Sequence, residues 1–256
     1  MAGLLFGVYA VISYVIFFAA FLYAIAFVGD LPIAPKTIDS GQTSPLVPTL
    51  VVNALLLGLF AIQHSVMARP AFKRWWTRLV PPPIERSTYV LFASLALVVL
   101  FLFWRPLPQP IWTVTGPAAM AIVVLFWIGW GIVLASTFLI NHFELFGLAQ
   151  VYRRIRGLSA EAPEFRTPAF YKLVRHPLYA GFILAFWATP AMTIGHLVFA
   201  VGTLGYILIA IQLEERDLVA TFGERYQTYR RHVGMLTPKV GGAKATTVTA
   251  PPSTAP

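Results

Sequence analysis

The ionisable residues able to do chemistry gather in four short stretches of a chain otherwise poor in charge. His64 follows Gln63; Asn141, His142 and Glu144 stand together; Arg175 precedes His176; and Glu214, Glu215, Arg216 and Asp217 run in series. Imidazole and carboxylate accept and return protons near neutral pH, so these residues are candidates for acid–base work and for holding a polar ligand. Pro177 lacks an N–H and suits the first turn of a helix, whose unpaired backbone donors and positive dipole end would lie beside His176. Tyr179 and Gly181 follow on the same turns, and a glycine there admits close approach of a helix or a ligand. Each feature also has a structural reading: snorkelling charges for Arg175 and the 214–217 run, a packing glycine, a hydrogen-bonded histidine for His64. His142 and Glu144, two residues apart, do not share a helix face. The absence of cysteine excludes disulfides, thiolate metal sites and a cysteine nucleophile, and nothing in the sequence demands a metal.

The elements that must position these residues are membrane spans. Of 256 residues, 58% are hydrophobic and 11% charged, with a mean hydropathy of +0.73, against roughly one-quarter charged in a soluble domain. Apolar runs at 3–28, 49–68, 88–104, 113–140, 177–193 and 196–213 predict an all-α, polytopic transmembrane helical bundle of five to six spans. The fifth run is short and forms a C-terminal hairpin with the sixth, followed by a cytoplasmic tail. Strand-like alternation is lacking, which argues against a barrel. The first run has no basic flank and exceeds a signal-peptide core, so it reads as a retained helix. Pro-rich breaks at 31–48, Pro81-Pro82-Pro83 and 106–110 mark loops.

Nineteen Lys+Arg against ten Asp+Glu give a net charge of +9. The loops after the second and fourth runs and the tail carry 17 of the basic residues, leaving Lys36 and Arg105 on the other side. The positive-inside rule then places both termini in the cytoplasm and the protein in the cytoplasmic (inner) membrane as a multi-pass chain. Trp75 and Trp76 on the inner side, and Trp104 and Trp112 on the outer, read as interfacial belts. No basic stripe interleaved with aromatics points to nucleic acid, and no internal repeat points to an inverted-repeat transporter. Residues 1–240 read as one integral membrane domain. The segment 241–256, rich in Thr, Pro and Ala, is expected to be a disordered extension.

On this topology all four polar stretches lie at cytoplasmic helix ends, and only His196 sits near the outer side. In the last hairpin about 16 residues rise ~24 Å and about 18 return ~27 Å, which brings His176 and Glu214 to similar depth. The arrangement predicts a cytoplasm-facing pocket for a polar cofactor and an apolar substrate.

Two sets of motifs carry a resemblance. Arg175-His176-Pro177-Leu178-Tyr179-Ala180-Gly181, then Glu214-Glu215, then Phe222-Gly223-Glu224-Arg225-Tyr226-Gln227-Thr228-Tyr229 resembles the RHPxYxG, EE and FGxxYxxY pattern of the isoprenylcysteine carboxyl methyltransferase and phospholipid methyltransferase superfamily. Gln63-His64-Ser65-Val66-Met67-Ala68-Arg69, Glu85-Arg86-Ser87-Thr88-Tyr89 and Asn141-His142-Phe143-Glu144-Leu145-Phe146-Gly147-Leu148 are similar to the bacterial methanethiol S-methyltransferases, which make dimethyl sulfide. The resemblance implies S-adenosylmethionine as methyl donor. It places Arg175, His176, Pro177, Leu178, Tyr179 and Gly181 at the cofactor, with Glu214 and Glu215 holding its amino-acid or ribose end. It also implies a small volatile thiol as acceptor, arriving through the lipid bilayer. A thiol must lose its proton, and free cysteine titrates only near pH 8.5, so a base is needed. His64 and His142 are the candidates, with Glu144 or Asn141 expected to fix the tautomer. The alternatives are methylation of a lipid amine or carboxylate, or a non-catalytic binding or transport protein on the same scaffold. An oligomer is compatible with the sequence.

Overall fold

The computed structural model describes residues 2–159 and 164–239; the extension expected at 241–256 lies outside them. The elements in chain order are α1 (Ala2–Val28), α2 (Leu46–Ala68), α3 (Pro70–Trp76), α4 (Pro82–Phe103), β1 (Pro110–Thr113), α5 (Gly116–Ile140), α6 (His142–Leu145), α7 (Leu148–Arg156), a 3₁₀ turn (Ala169–Lys172), α8 (Pro177–Trp187), β2 (Ala191–Thr193), α9 (Ile194–Phe222) and α10 (Glu224–His232). The fold is all-α and polytopic. Among the described residues, α1, α2, α4, α5 and α9 are long and apolar enough to cross a membrane. Their packing runs α1 to α4, α4 to α2, α2 to α9, α9 to α8 and α8 to α5. Phe21 on α1 meets Trp130 on α5 edge to face at 5.4 Å, which closes a ring of six helices. The starts of α1, α4 and α8 and the ends of α2, α5 and α9 share one end of this ring, where most of the arginines lie.

α8 departs from the expectation. It has 11 residues, a rise of about 16 Å, and stops at Trp187 instead of continuing through the predicted run to residue 193. Pro190 has no N–H and biases Thr189 away from helix. The chain instead extends into β2, which pairs antiparallel with β1, Thr113 opposite Ala191 and Pro110 opposite Thr193. α9 then returns with 29 residues, about 43 Å, longer than the hydrocarbon core, so its last turns project beyond it. Helix starts also shift: Pro82 and Pro83 open α4 from within its first turn, and β1 delays α5 to Gly116.

α5 and α8 touch backbone to backbone. A Cβ at Gly181 would lie 2.8 Å from the Gly129 carbonyl oxygen, and one at Gly129 would lie 2.6 Å from the Ala185 nitrogen. Gly181 is therefore a packing glycine whose Cβ face is filled by α5.

The far end is sealed by side chains that satisfy loop backbone, as a dry interior requires. Trp104 is 1% exposed and donates to the Ile38 carbonyl at 3.1 Å, so it belongs to the core with Phe27, Phe101 and Phe199, not to an interfacial belt. Asn53 brackets Arg105, donating to its carbonyl at 2.8 Å and accepting from its N–H at 2.9 Å. Thr193 donates to Asp39 at 2.6 Å, and His196 bonds the Phe186 carbonyl at 2.8 Å. At the basic end, α3 and α7 are short helices where loops were expected, with Trp75 and Tyr152 exposed.

Candidate active site

The site grows from the paired ends of α8 and α9. His176 precedes α8, whose Pro177 sits in the first turn, and its N–H donates to the Met235 carbonyl at 3.1 Å. The Arg175 N–H donates to the Gly234 carbonyl at 2.8 Å. The stretch after α10 thus runs beside 174–176 like a strand partner. It is brought back by Gly223, whose φ of +54° and ψ of −132° are accessible to glycine and strained for other residues.

Glu215 is the centre of this frame. Arg175 Nε donates to Glu215 Oε1 at 2.7 Å, His176 Nε2 lies 3.1 Å from the same oxygen, and Arg230 stands 3.6 Å from Oε2. The side chains of Arg175 and Glu215 are 9% and 11% exposed. Arg175 also donates to the carbonyls of Val233 at 2.5 Å and Arg230 at 3.2 Å. Charge-assisted bonds among buried partners make this a structural lock for the start of α8. Burial holds the Tyr171, Tyr226 and Tyr229 hydroxyls above their ordinary titration range, so they stay neutral beneath it.

Glu214 faces elsewhere. Adjacent helical residues lie about 100° apart, and Glu214 Oε2 accepts from the Tyr179 hydroxyl at 3.0 Å with 42% of its side chain accessible. Tyr179, Tyr89 and Tyr206 all lie within range of the Glu214 charge. The Tyr89 hydroxyl in turn lies 2.8 Å from His64 Nε2. The His64 ring is stacked on Phe60 at 5.2 Å and meets the Tyr206 edge at 6.4 Å. Four helices thus bring His64, Tyr89, Tyr206, Tyr179 and Glu214 into one polar neighbourhood. On the other face of α9, a cleft of about 470 Å³ is lined by Gln212, Glu215, Arg216, Val219, Gln227 and Arg230.

His142 and Glu144 are placed differently. His142 is 4% exposed, with Nε2 2.8 Å from the Tyr14 hydroxyl and Nδ1 2.8 Å from Thr137 Oγ1. Its ring stacks on Phe138 at 4.2 Å, and burial lowers its pKa. Both nitrogens are committed, and Tyr14 and Thr137, not Glu144 or Asn141, set the tautomer. Glu144 accepts instead from Asn141 at 3.0 Å and from Arg153 at 3.2 Å, in a cap at the start of α6. This arrangement corrects the expected pairing of His142 with Glu144.

Sequence reasoning brought Arg175, His176, Tyr179, Glu214 and Glu215 together, and the structure does so too. It missed Arg230 and Tyr206 as neighbours of the site. Tyr206 lies eight residues, just over two turns, before Glu214, so helical periodicity carried the signal. Arg230 carried none, because its position depends on the reversal at Gly223. Among the described residues, no group of three or more His, Asp or Glu is placed to hold a metal ion.

No family model matches the chain, and no solved structure matches it. Curated relatives do. Methanethiol S-methyltransferase 2 of Bradyrhizobium diazoefficiens is 54% identical over 238 residues, 93% of this chain and 92% of that protein. Methanethiol S-methyltransferase of Mycobacterium tuberculosis is 56% identical over 232 residues, 90% of this chain and 95% of that one. The enzyme of the same name from Crocosphaera subtropica is 54% identical over 234 residues, 91% of each chain. Identity of this level over nine-tenths of the length takes in both the α8–α9 frame and the His64–Tyr89 neighbourhood, and on it the chain belongs to the methanethiol S-methyltransferase family.

Proposed function

We propose that the protein transfers a methyl group from S-adenosylmethionine to methanethiol, releasing dimethyl sulfide, at the cytoplasmic face of the cytoplasmic membrane. The observation that carries this reading is an accessible carboxylate, Glu214, in the same neighbourhood as a histidine–tyrosine pair, His64 and Tyr89. The names of the relatives add the acceptor.

The residues present suit the donor. Its sulfonium and ammonium are cations, for which Glu214 is a counter-charge. When bound, it supplies a methyl already activated on positive sulfur. Arg175, His176 and Glu215, which saturate one another, hold the start of α8 and so aim Tyr179. Glu214 and Tyr179 orient the positive end, and the aromatic walls at Phe60 and Tyr206 exclude water. An alkyl thiol is largely protonated at neutral pH, so His64 takes its proton as the new bond forms. Methanethiol is small and apolar enough to arrive through lipid.

Incubating membranes that contain the protein with methyl-labelled donor and a panel of thiols, amines and carboxylates tests this reading. Label in dimethyl sulfide alone is the expected result. Label in a phospholipid or a carboxyl ester would replace methanethiol as acceptor, and no transfer to any acceptor would remove the enzymatic reading.

A further inference from the structure

α7 carries apolar surface and positive charge that the rest of the protein leaves unmatched. At about 100° per residue, Val151, Ile155, Leu148 and Tyr152 share one stripe of the helix, and Arg154 and Arg156 stand on its two edges. Only part of that stripe is covered. Val151 is 2% exposed, and Ile155 lies on the start of α1, 3.5 Å from where Cβ atoms at Gly3 and Gly7 would stand. Tyr152, Ile155 and Leu158 nevertheless remain 53–58% exposed. Leu158 is fixed at the helix end, its N–H donating to the Arg153 carbonyl at 2.9 Å around Gly157. Leu4 and Val8, next to the two glycines, are exposed on a helix long and apolar enough to cross a membrane, so the uncovered stripe adjoins a lipid-facing surface. Arg153 pairs with Glu144 at 3.2 Å. Among the described residues, Arg154 and Arg156 have no carboxylate partner, and both are exposed.

We infer that α7 is a docking site for anionic phospholipid, with its apolar stripe in the membrane interface beside the start of α1 and Arg154 and Arg156 on the phosphate-bearing head groups. A helix with an apolar face and basic flanks rests in the plane of a bilayer surface, its apolar face toward the acyl chains. Continuity with the lipid-facing side of α1 selects a lipid over a soluble partner, which could not follow the stripe into hydrocarbon. The charge selects the class of lipid. Arginine stems lie along apolar surface while their guanidinium forks reach phosphate oxygens, and each arginine at an anionic surface strengthens binding about fivefold. α7 packs on both α1 and α4, so its contact with lipid is anchored to two spans. This surface is separate from the methyl-transfer site, and its lipid preference holds for any acceptor.

The test uses the full chain in nanodiscs of phosphatidylcholine and phosphatidylglycerol in equal parts. Leu158→Cys supplies a single site for a fluorophore, because the chain has no cysteine of its own, and a nitroxide quencher is carried near the top of the acyl chain of one lipid at a time. Labelled phosphatidylglycerol should quench with a local preference over phosphatidylcholine of roughly 25-fold, about fivefold for each arginine, and high salt should reduce it. Adding Arg154→Gln and Arg156→Gln should leave the two lipids equal, with the melting temperature unchanged because neither arginine has a carboxylate partner. Equal quenching by both lipids before the arginines are replaced would overturn the anionic site. Quenching by neither would show that α7 stands off the membrane and overturn the docking itself. A preference that survives the double substitution would remove the arginines from it, and one abolished by inorganic phosphate at constant ionic strength would assign them to a free anion instead.

Discussion

Glu214 and Glu215, adjacent on α9, belong to different networks. Glu214 accepts from Tyr179 at 3.0 Å and keeps 42% of its side chain accessible. Glu215 is 11% exposed and joins Arg175 at 2.7 Å and His176 at 3.1 Å. Glu215→Ala leaves the Arg175 charge buried without its carboxylate, and should destabilise the fold by about 3–5 kcal/mol, seen as a lower melting temperature in detergent. Glu214→Gln should change stability by under about 1 kcal/mol but weaken S-adenosylmethionine binding by roughly 10–100-fold, the worth of one hydrogen bond to a charge. Calorimetry on both variants separates the frame from the ligand-holding carboxylate.

The two histidines should divide in the same way. His142→Asn breaks the bonds to Tyr14 and Thr137 and the stack on Phe138, so it should lower thermal stability while turnover per folded molecule stays within about threefold. His64→Gln should lose about 10²–10⁴ in kcat at nearly unchanged donor affinity. Steady-state kinetics on detergent-purified variants, normalised to folded protein, checks both.

Much of this site was legible in the sequence, because helical rise and charge asymmetry are properties of single segments. The convergence of Arg175, His176, Tyr179, Glu214 and Glu215 followed from the length of the last hairpin, although α8 is shorter than expected. The assignment of His142 was not legible. Its Tyr14 partner is 128 residues away, and no local pattern reveals such a bond. Trp104 looked like a belt residue from its place at a helix end, but its burial depends on the 29–45 loop folding across the far end. Gly181 was open to both a packing and a ligand reading, and the packing one could be read only from the position of α5.

Asp39 gives a pH signature at the far end. Burial raises its pKa from 3.8 to about 6, against the lowering effect of the Thr193 hydrogen bond. The folded state therefore favours the protonated acid, so its contribution is full below about pH 4 and is lost as pH rises through about 6. Asp39→Asn keeps an oxygen that can accept from Thr193 without a charge. Its melting temperature should exceed that of wild type at pH 7.5 and approach it at pH 4, as thermal scans across that range would show.

Orientation is open to a direct check, because the chain has no cysteine of its own. Single cysteines at Lys36 and Arg105 should react with an impermeant thiol reagent on intact cells, and those at Arg78, Arg156 and Arg231 only after lysis. Outside labelling at Arg156 would reverse the sidedness.

The central claim is that the methyl of S-adenosylmethionine ends on the sulfur of methanethiol. Purified protein in lipid nanodiscs, given methanethiol and S-adenosylmethionine carrying a trideuterated methyl, tests it by mass spectrometry of the headspace. The account predicts dimethyl sulfide three mass units heavier than the unlabelled compound, formed in proportion to protein and lost in His64→Gln. Headspace free of labelled dimethyl sulfide, with the donor intact or its methyl found on lipid, would contradict it.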